Sequence, residues 1–261
     1  MEPIGTLTQG IDVAQVVLYT FWVFFAGLVF YLRREDRREG FPLINDITLK
    51  EENPGVIWLA EPKKFQMLDG STYFAPDPGR ADKRAIAAEP TGPFPGAPLE
   101  PTGDPMIDGV GPAAWAERSD KPDLTYDGRP KIVPMREDNE YSIAEGDPDP
   151  RGYDVVGADG LIAGVVSDVW VDRSELLIRY LEVEFLSPDS DPAAPRTRRV
   201  LFPMNFATVD GKRQRVWTHA ILSTDFKNVP TTKAPGTVTL LEEDKVMAFF
   251  SGGTLFATPS R

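Results

Sequence analysis

Cysteine is absent from this 261-residue chain, and histidine occurs once, at His219. Without thiols there is no disulfide, no thiolate chemistry and no Cys-ligated metal. A lone imidazole removes most histidine-based metal sites, histidine–aspartate triads and histidine-ligated pigments or haems. His219 itself reads as a residue packed at a strand end. No Gly-rich phosphate loop, nucleophile elbow or metal-ligand spacing occurs. Basic residues are also short: 28 Lys and Arg stand against 40 Asp and Glu, a net charge of −12. Nucleic acid is thereby excluded as a partner, because phosphate binding needs a basic footprint.

A further absence is local. Residues 13–32, VAQVVLYTFWVFFAGLVFYL, hold no charge, and Arg33, Arg34, Arg37 and Arg38 follow at once. Twenty helical residues span about 30 Å, the thickness of a bilayer's hydrocarbon core. The run is apolar all round, whereas a soluble helix normally keeps a polar face. A single transmembrane helix is therefore expected. Residues 1–12 carry Glu2 and Asp12 but no Lys or Arg, so the positive-inside rule places the N-terminus outside and the large C-terminal part in the cytoplasm. A cleaved signal peptide would show a basic start, a shorter core and small residues at its end. Here bulky Phe30-Tyr31-Leu32 runs straight into arginine. Tyr31, Arg33, Arg34, Arg37 and Arg38 are the expected contacts with lipid headgroups.

After Gly40-Phe41-Pro42-Leu43 breaks the chain direction, proline becomes dense. Between Pro90 and Pro112 lie seven prolines and five glycines in 23 residues, a density that predicts neither helix nor central strand. Phe94, Leu99, Met106, Ile107, Val110 and Trp115 are spaced through or beside it. Apolar anchors on a stiff chain favour an extended, ordered segment laid on another protein surface over a free linker. From Tyr153 the pattern turns to β: 161–166, 169–171, 176–186, 199–203 and 215–218 read as strands, with Asp210-Gly211 as a hairpin signal. Short strands at this spacing predict a small antiparallel barrel or curled sheet. Thr239 and Glu242 form a capping box for a final helix, and Gly252-Gly253 reads as its end.

One acidic cluster stands out. Asp168, Asp172, Glu175, Glu182 and Glu184 fall within 17 residues around two predicted strands. A solvated face of an acidic protein explains them. So does proton handling, since neighbouring carboxylates raise one another's pKa values and relay protons. Spacing alone does not choose.

Several blocks together resemble a known family. Tyr19–Leu28, Arg38–Leu43, Pro101–Met106, Asp108–Ala113, Asp168–Asp172, Leu181–Glu184 and Val238–Lys245 look like the H subunit of the purple-bacterial photosynthetic reaction centre, in that family's order from end to end. The resemblance implies one transmembrane helix (13–32) after a periplasmic segment (1–12), an arginine collar and extended Pro/Gly-rich segment (33–112), and a mainly-β cytoplasmic domain (113–261) built on a PRC-type small barrel with a short C-terminal helix. It implies a non-catalytic subunit of the bacterial inner, photosynthetic membrane. Such a subunit caps the pigment-binding L and M subunits and stabilises the quinone region. It also assists proton delivery to the secondary quinone. Bacteriochlorophyll, bacteriopheophytin, quinones, non-haem iron and carotenoid would sit on those partners, with none bound by a His or Cys of this chain. Light-harvesting antenna and cytochrome subunits are further implied neighbours. The family's proton-conducting carboxylates map through Asp168–Glu175 onto Asp172 and Glu175. Family members often carry a histidine pair before a Lys-Ile pair, implicated in proton entry and metal binding. Here Tyr126–Ile132 holds no histidine, and Asp127 is the candidate acceptor in its place.

The alternative of another class is a membrane-tethered binding module whose barrel recruits a soluble partner, with no photosynthetic role. A membrane-anchored hydrolase fails for want of a nucleophile–base pair.

Overall fold

The structure, a computed structural model, describes residues 6–8, 11–53, 55, 59–77, 79, 82–186 and 197–257. Of the segment 1–12, residues 1–5, 9 and 10 lie outside the described residues. The chain divides into two compact units, Met1–Lys83 with Thr91–Pro98, and Arg84–Pro90 with Leu99–Arg261.

The first unit begins with strands β1 (Thr6–Thr8) and β2 (Ile11–Asp12), then helix α1 (Val13–Glu35). Asp12 starts the helix: its carboxylate accepts from the Gln15 N–H at 2.7 Å while the Gln15 side chain accepts from the Asp12 N–H. This reciprocal cap satisfies two of the donors that a helix start leaves over. The helix runs three residues past the apolar stretch. Arg33 pairs with Asp36 at 2.7 Å and Arg38 with Glu35 at 2.8 Å across its end, and helical spacing lets such pairs form. No side chain of α1 is buried by the chain itself. It is long and apolar enough to cross a membrane. The same unit holds a hairpin of β3 (Lys63–Gln66) and β4 (Thr72–Ala75), with Lys63 3.5 Å from Glu35.

The second unit opens with a ribbon of β5 (Ala88–Pro90) and β6 (Leu99–Pro101), then one helical turn, α2 (Pro105–Asp108). That turn corrects the expectation that the proline-dense stretch carries no helix. Proline is tolerated at a first helical position, Asp104 caps the amides of Met106 and Ile107, and Gly109 takes the left-handed conformation that ends the turn.

The main sheet runs in the order β11 (Thr197–Pro203), β10 (Leu177–Leu186), β9 (Ile162–Asp172), β8 (Asp154–Val156), β13 (Arg215–Trp217) and β12 (Thr208–Asp210), with β7 (Ile132–Pro134) also on β9. Two expected runs, 161–166 and 169–171, are one 11-residue strand. The pairing is antiparallel except between β8 and β13, which are parallel. The Asp210-Gly211 turn joins β12 to β13. Leu176, at φ +56°, closes the β9–β10 hairpin.

Helix α3 (Leu240–Phe256) covers the sheet. Phe250 stacks on Phe202 at 5.2 Å, and Phe226 meets Phe202 edge-on at 5.8 Å. With Trp170, Leu181 and Ile221, these rings fill the core. The capping box of Thr239 and Glu242 forms as expected. The helix end does not: α3 continues through Gly252 and Gly253 to Phe256. A Cβ on Gly252 would lie 2.5 Å from the Ala113 Cβ, and one on Gly253 would collide with Ala220 O and Ile221 Cγ2. These glycines exist for close packing and do not terminate the helix.

Candidate functional site

The end of the β9–β10 hairpin gathers charge. Asp172, the last residue of β9, is fully buried. Its Oδ1 accepts from the backbone N–H groups of Ser174 at 2.9 Å and Glu175 at 3.0 Å, which folds the turn around the carboxylate. Its Oδ2 has no hydrogen-bond donor among the described residues. The cations nearest to it are Lys131 Nζ at 3.5 Å and Arg179 Nε at 4.0 Å. Lys131 is placed by β7, whose Ile132 is paired with Asp172. Half-exposed Glu175 meets the same two cations, at 3.4 and 4.0 Å. Asp123 adds a third carboxylate 3.8 Å from Lys131. Burial works against the Lys131 charge, but Asp172, Glu175 and Asp123 outweigh it and hold its pKa above the usual lysine value.

This cluster borders a cleft of about 560 Å³, lined among others by Asp123, Lys131, Arg179, Tyr180 and Glu243. Glu243 lies in the first turns of α3, and its Oε2 accepts from the Tyr180 hydroxyl at 2.9 Å. Burial pushes the Glu243 carboxyl up from its ordinary value, against the opposing pull of Tyr180 and Arg179. Burial also raises the Tyr180 phenol, so it remains a donor at any working pH.

The five carboxylates of the acidic cluster separate into two groups. Asp168 and Glu182 are buried beneath Arg136, which contacts each at 3.0 Å. The Trp170 indole N–H donates to Glu182 at 3.1 Å. Glu184 pairs with Arg199 at 2.6 Å. The acids stay close to one another, but each meets a cation that offsets its charge. The centre of β10 is buried on both faces, from Tyr180 to Val183.

Asp127 sits at the tip of a separate turn. It accepts from Thr125 and pairs with Arg129 at 2.6 Å. The Thr125 hydroxyl and the Arg129 guanidinium hold its pKa below the usual carboxylate range, so it stays ionised near neutral pH. In the arginine collar, Arg33 and Arg38 carry the acidic partners named above, and the Arg37 guanidinium lies 5.4 Å from the Phe41 ring centre. Tyr31 is exposed. His219 is exposed with its ring edge-on to Trp217 at 4.2 Å.

Residues 5–137 match the family model described as photosynthetic reaction centre, H-chain N-terminal region. That is half of the chain. The chain belongs to the reaction-centre H-chain family. Residues 142–221 match the PRC-barrel domain, which takes in β8 to β13. A reaction-centre H chain is one subunit of a larger photosynthetic complex. With the apolar α1 near its N-terminus, this H chain is a membrane-anchored subunit. Its Asp172 and Glu175 share Lys131 and Arg179, which line the cleft, whereas Asp127 pairs with Arg129 on a separate turn. Asp123, Lys131, Arg179, Tyr180 and Glu243 escaped the sequence reading. The Glu242-Glu243-Asp244 run was a visible signal, but it read as a helix start and part of a family block, with no role in a site.

Proposed function

We propose that this H chain caps the L and M subunits of a photosynthetic reaction centre, steadies their quinone region and passes protons toward the secondary quinone. The N-terminus faces the periplasm and the β domain the cytoplasm. Tyr31 and the arginine collar sit among lipid headgroups, and the segment 40–112 lies along the partner subunits. Bacteriochlorophyll, bacteriopheophytin, carotenoid, quinones and non-haem iron belong to those partners, which carry the light-driven electron transport.

One observation supports the proton role above the rest: a fully buried carboxylate, Asp172, joined to half-exposed Glu175 through shared Lys131 and Arg179 at the rim of a cleft. A reduced quinone takes up two protons at a site shielded from bulk water. A path that starts at an exposed acid and continues to a buried one meets that need, and the two cations keep the negative charges tolerable off the proton. Asp127, ionised at the surface, serves as a collecting charge at the entry.

The test is flash kinetics on reaction centres carrying Asp172→Asn with Glu175→Gln. The second electron transfer, which waits on proton uptake, slows while primary charge separation is unchanged. If the two groups act in series, each single variant slows the step nearly as much as the double. Rates equal to wild type at every pH between about 5 and 9 would remove both residues from the path.

A further inference from the structure

Glu243 is a partly buried, titratable group that the path above does not use. Three elements bring polar and charged groups to it. Tyr180 and Arg179 reach it from β10, Asp123 and Arg118 from the segment before β7, and Asp244 is its neighbour on α3; all of them line the same cleft, together with Lys131. Arg179 faces Glu243 and also stands 4.0 Å from both Asp172 and Glu175. Asp123 likewise acts on Glu243 and lies 3.8 Å from Lys131. The cleft therefore couples Glu243 to the Asp172–Glu175 group through shared charged neighbours. Both matched family regions stop before α3.

We infer that Glu243, on the cleft wall, is a third proton-carrying carboxyl beside Asp172 and Glu175, and that Tyr180 is its positioning residue. The inference rests on the proton-delivery reading given above. In the cycle, the Glu243 O–H bond breaks, the proton passes to the Asp172–Glu175 group, and a proton from the cleft water restores the neutral acid. Oε2 accepts from Tyr180, which leaves Oε1 as the protonated oxygen. Tyr180 relays no proton itself, since burial holds its pKa far above working pH and it keeps its hydroxyl proton. Its hydrogen bond favours the ionised form of Glu243. It thus limits how far burial raises that acid and sets the pH at which the carboxyl empties.

The experiment measures the second electron transfer against pH in assembled reaction centres carrying Glu243→Gln, Tyr180→Phe, or Asp172→Asn with Glu175→Gln. The glutamine keeps the shape of the helix start, and the absorption spectrum and the first electron-transfer rate confirm assembly. Glu243→Gln slows the step by roughly tenfold, short of the ~10²–10⁴-fold of a sole proton donor because the other two carboxyls remain. It also removes an inflection from the pH profile. Tyr180→Phe retains the inflection and moves it to higher pH, because loss of the donor raises the Glu243 pKa further. A merely structural role moves neither feature. If Glu243→Gln matches wild type while the double variant is slow, Glu243 carries no proton and the path through Asp172 and Glu175 stands. If neither is slow, both assignments fall. A slowed Glu243→Gln with its inflection intact, or with the first transfer slowed as well, also overturns the inference.

Discussion

Replacing Gly253 with Ala sets two effects of similar size against each other. Helix propensity favours Ala over Gly by about 1 kcal/mol in a helix interior. Against that, the new methyl would be driven into Ala220 O and Ile221 Cγ2. Neither neighbour can yield cheaply. Ala220 and Ile221 are buried, the Ala220 N–H is tied to Thr218 Oγ1 at 3.0 Å, and the Ile221 carbonyl accepts from Ala158 N–H at 2.8 Å. Overpacking costs about 1–3 kcal/mol, and a collision with fixed backbone belongs at the upper end. The net is a loss of about 1–2 kcal/mol, or a Tm lower by about 2–8 °C for a domain of this size. Thermal unfolding of the full chain in detergent micelles, followed by tryptophan fluorescence, measures it. A Tm raised by 2 °C or more would show that propensity alone operates, and that α3 does not pack as closely as its glycines indicate.

Orientation gives a second prediction: protease added outside sealed right-side-out cells spares the C-terminal body, and its digestion would reverse the topology. Trp22→Arg puts a charge at the middle of α1 and costs about 2.5–3.5 kcal/mol on insertion scales, so the variant is recovered outside the membrane fraction; full membrane recovery would contradict a spanning α1. Acid stability provides a fourth. Burial raises the Asp138 pKa, but Arg173 at 2.7 Å and the Glu140 N–H outweigh it, so the folded value lies below the usual range. A depressed folded pKa stabilises above the unfolded value of about 3.9, and that contribution disappears as pH falls through the folded value. Asp138→Asn is therefore less stable by about 1–3 kcal/mol at neutral pH, and the difference shrinks as pH falls below the unfolded value of about 3.9; a difference that stays constant as pH falls would refute the pairing.

Legibility in the sequence followed how local each signal was. Helix α1 was plain because a bilayer demands an unbroken apolar run, and α3 began where its capping box said. Strands β9 and β10 were visible through β-branched content. Gly252-Gly253 misled, because a glycine needed for close approach to Ala113 or Ala220 looks the same in sequence as one that ends a helix. The parallel contact of β8 with β13 joins residues about sixty positions apart, and no local pattern encodes it. The same holds for the site. Asp172 and Glu175 are three residues apart and were found together, whereas Lys131, Arg179 and Glu243 reach them only through the fold. Arg136 shows the converse: Asp168 and Glu182 looked like more of one acidic cluster until a cation from a distant segment was seen between them.

The central claim is that this chain works as a subunit of a pigment-bearing, light-driven complex. It is tested most directly by extracting the tagged chain from native membranes in mild detergent and recording the near-infrared absorption of what elutes with it. The account predicts bacteriochlorophyll bands that co-elute with the chain and bleach reversibly under a flash. A chain that elutes intact with other proteins but without those bands would contradict it, and would leave a membrane-tethered PRC-barrel module in its place.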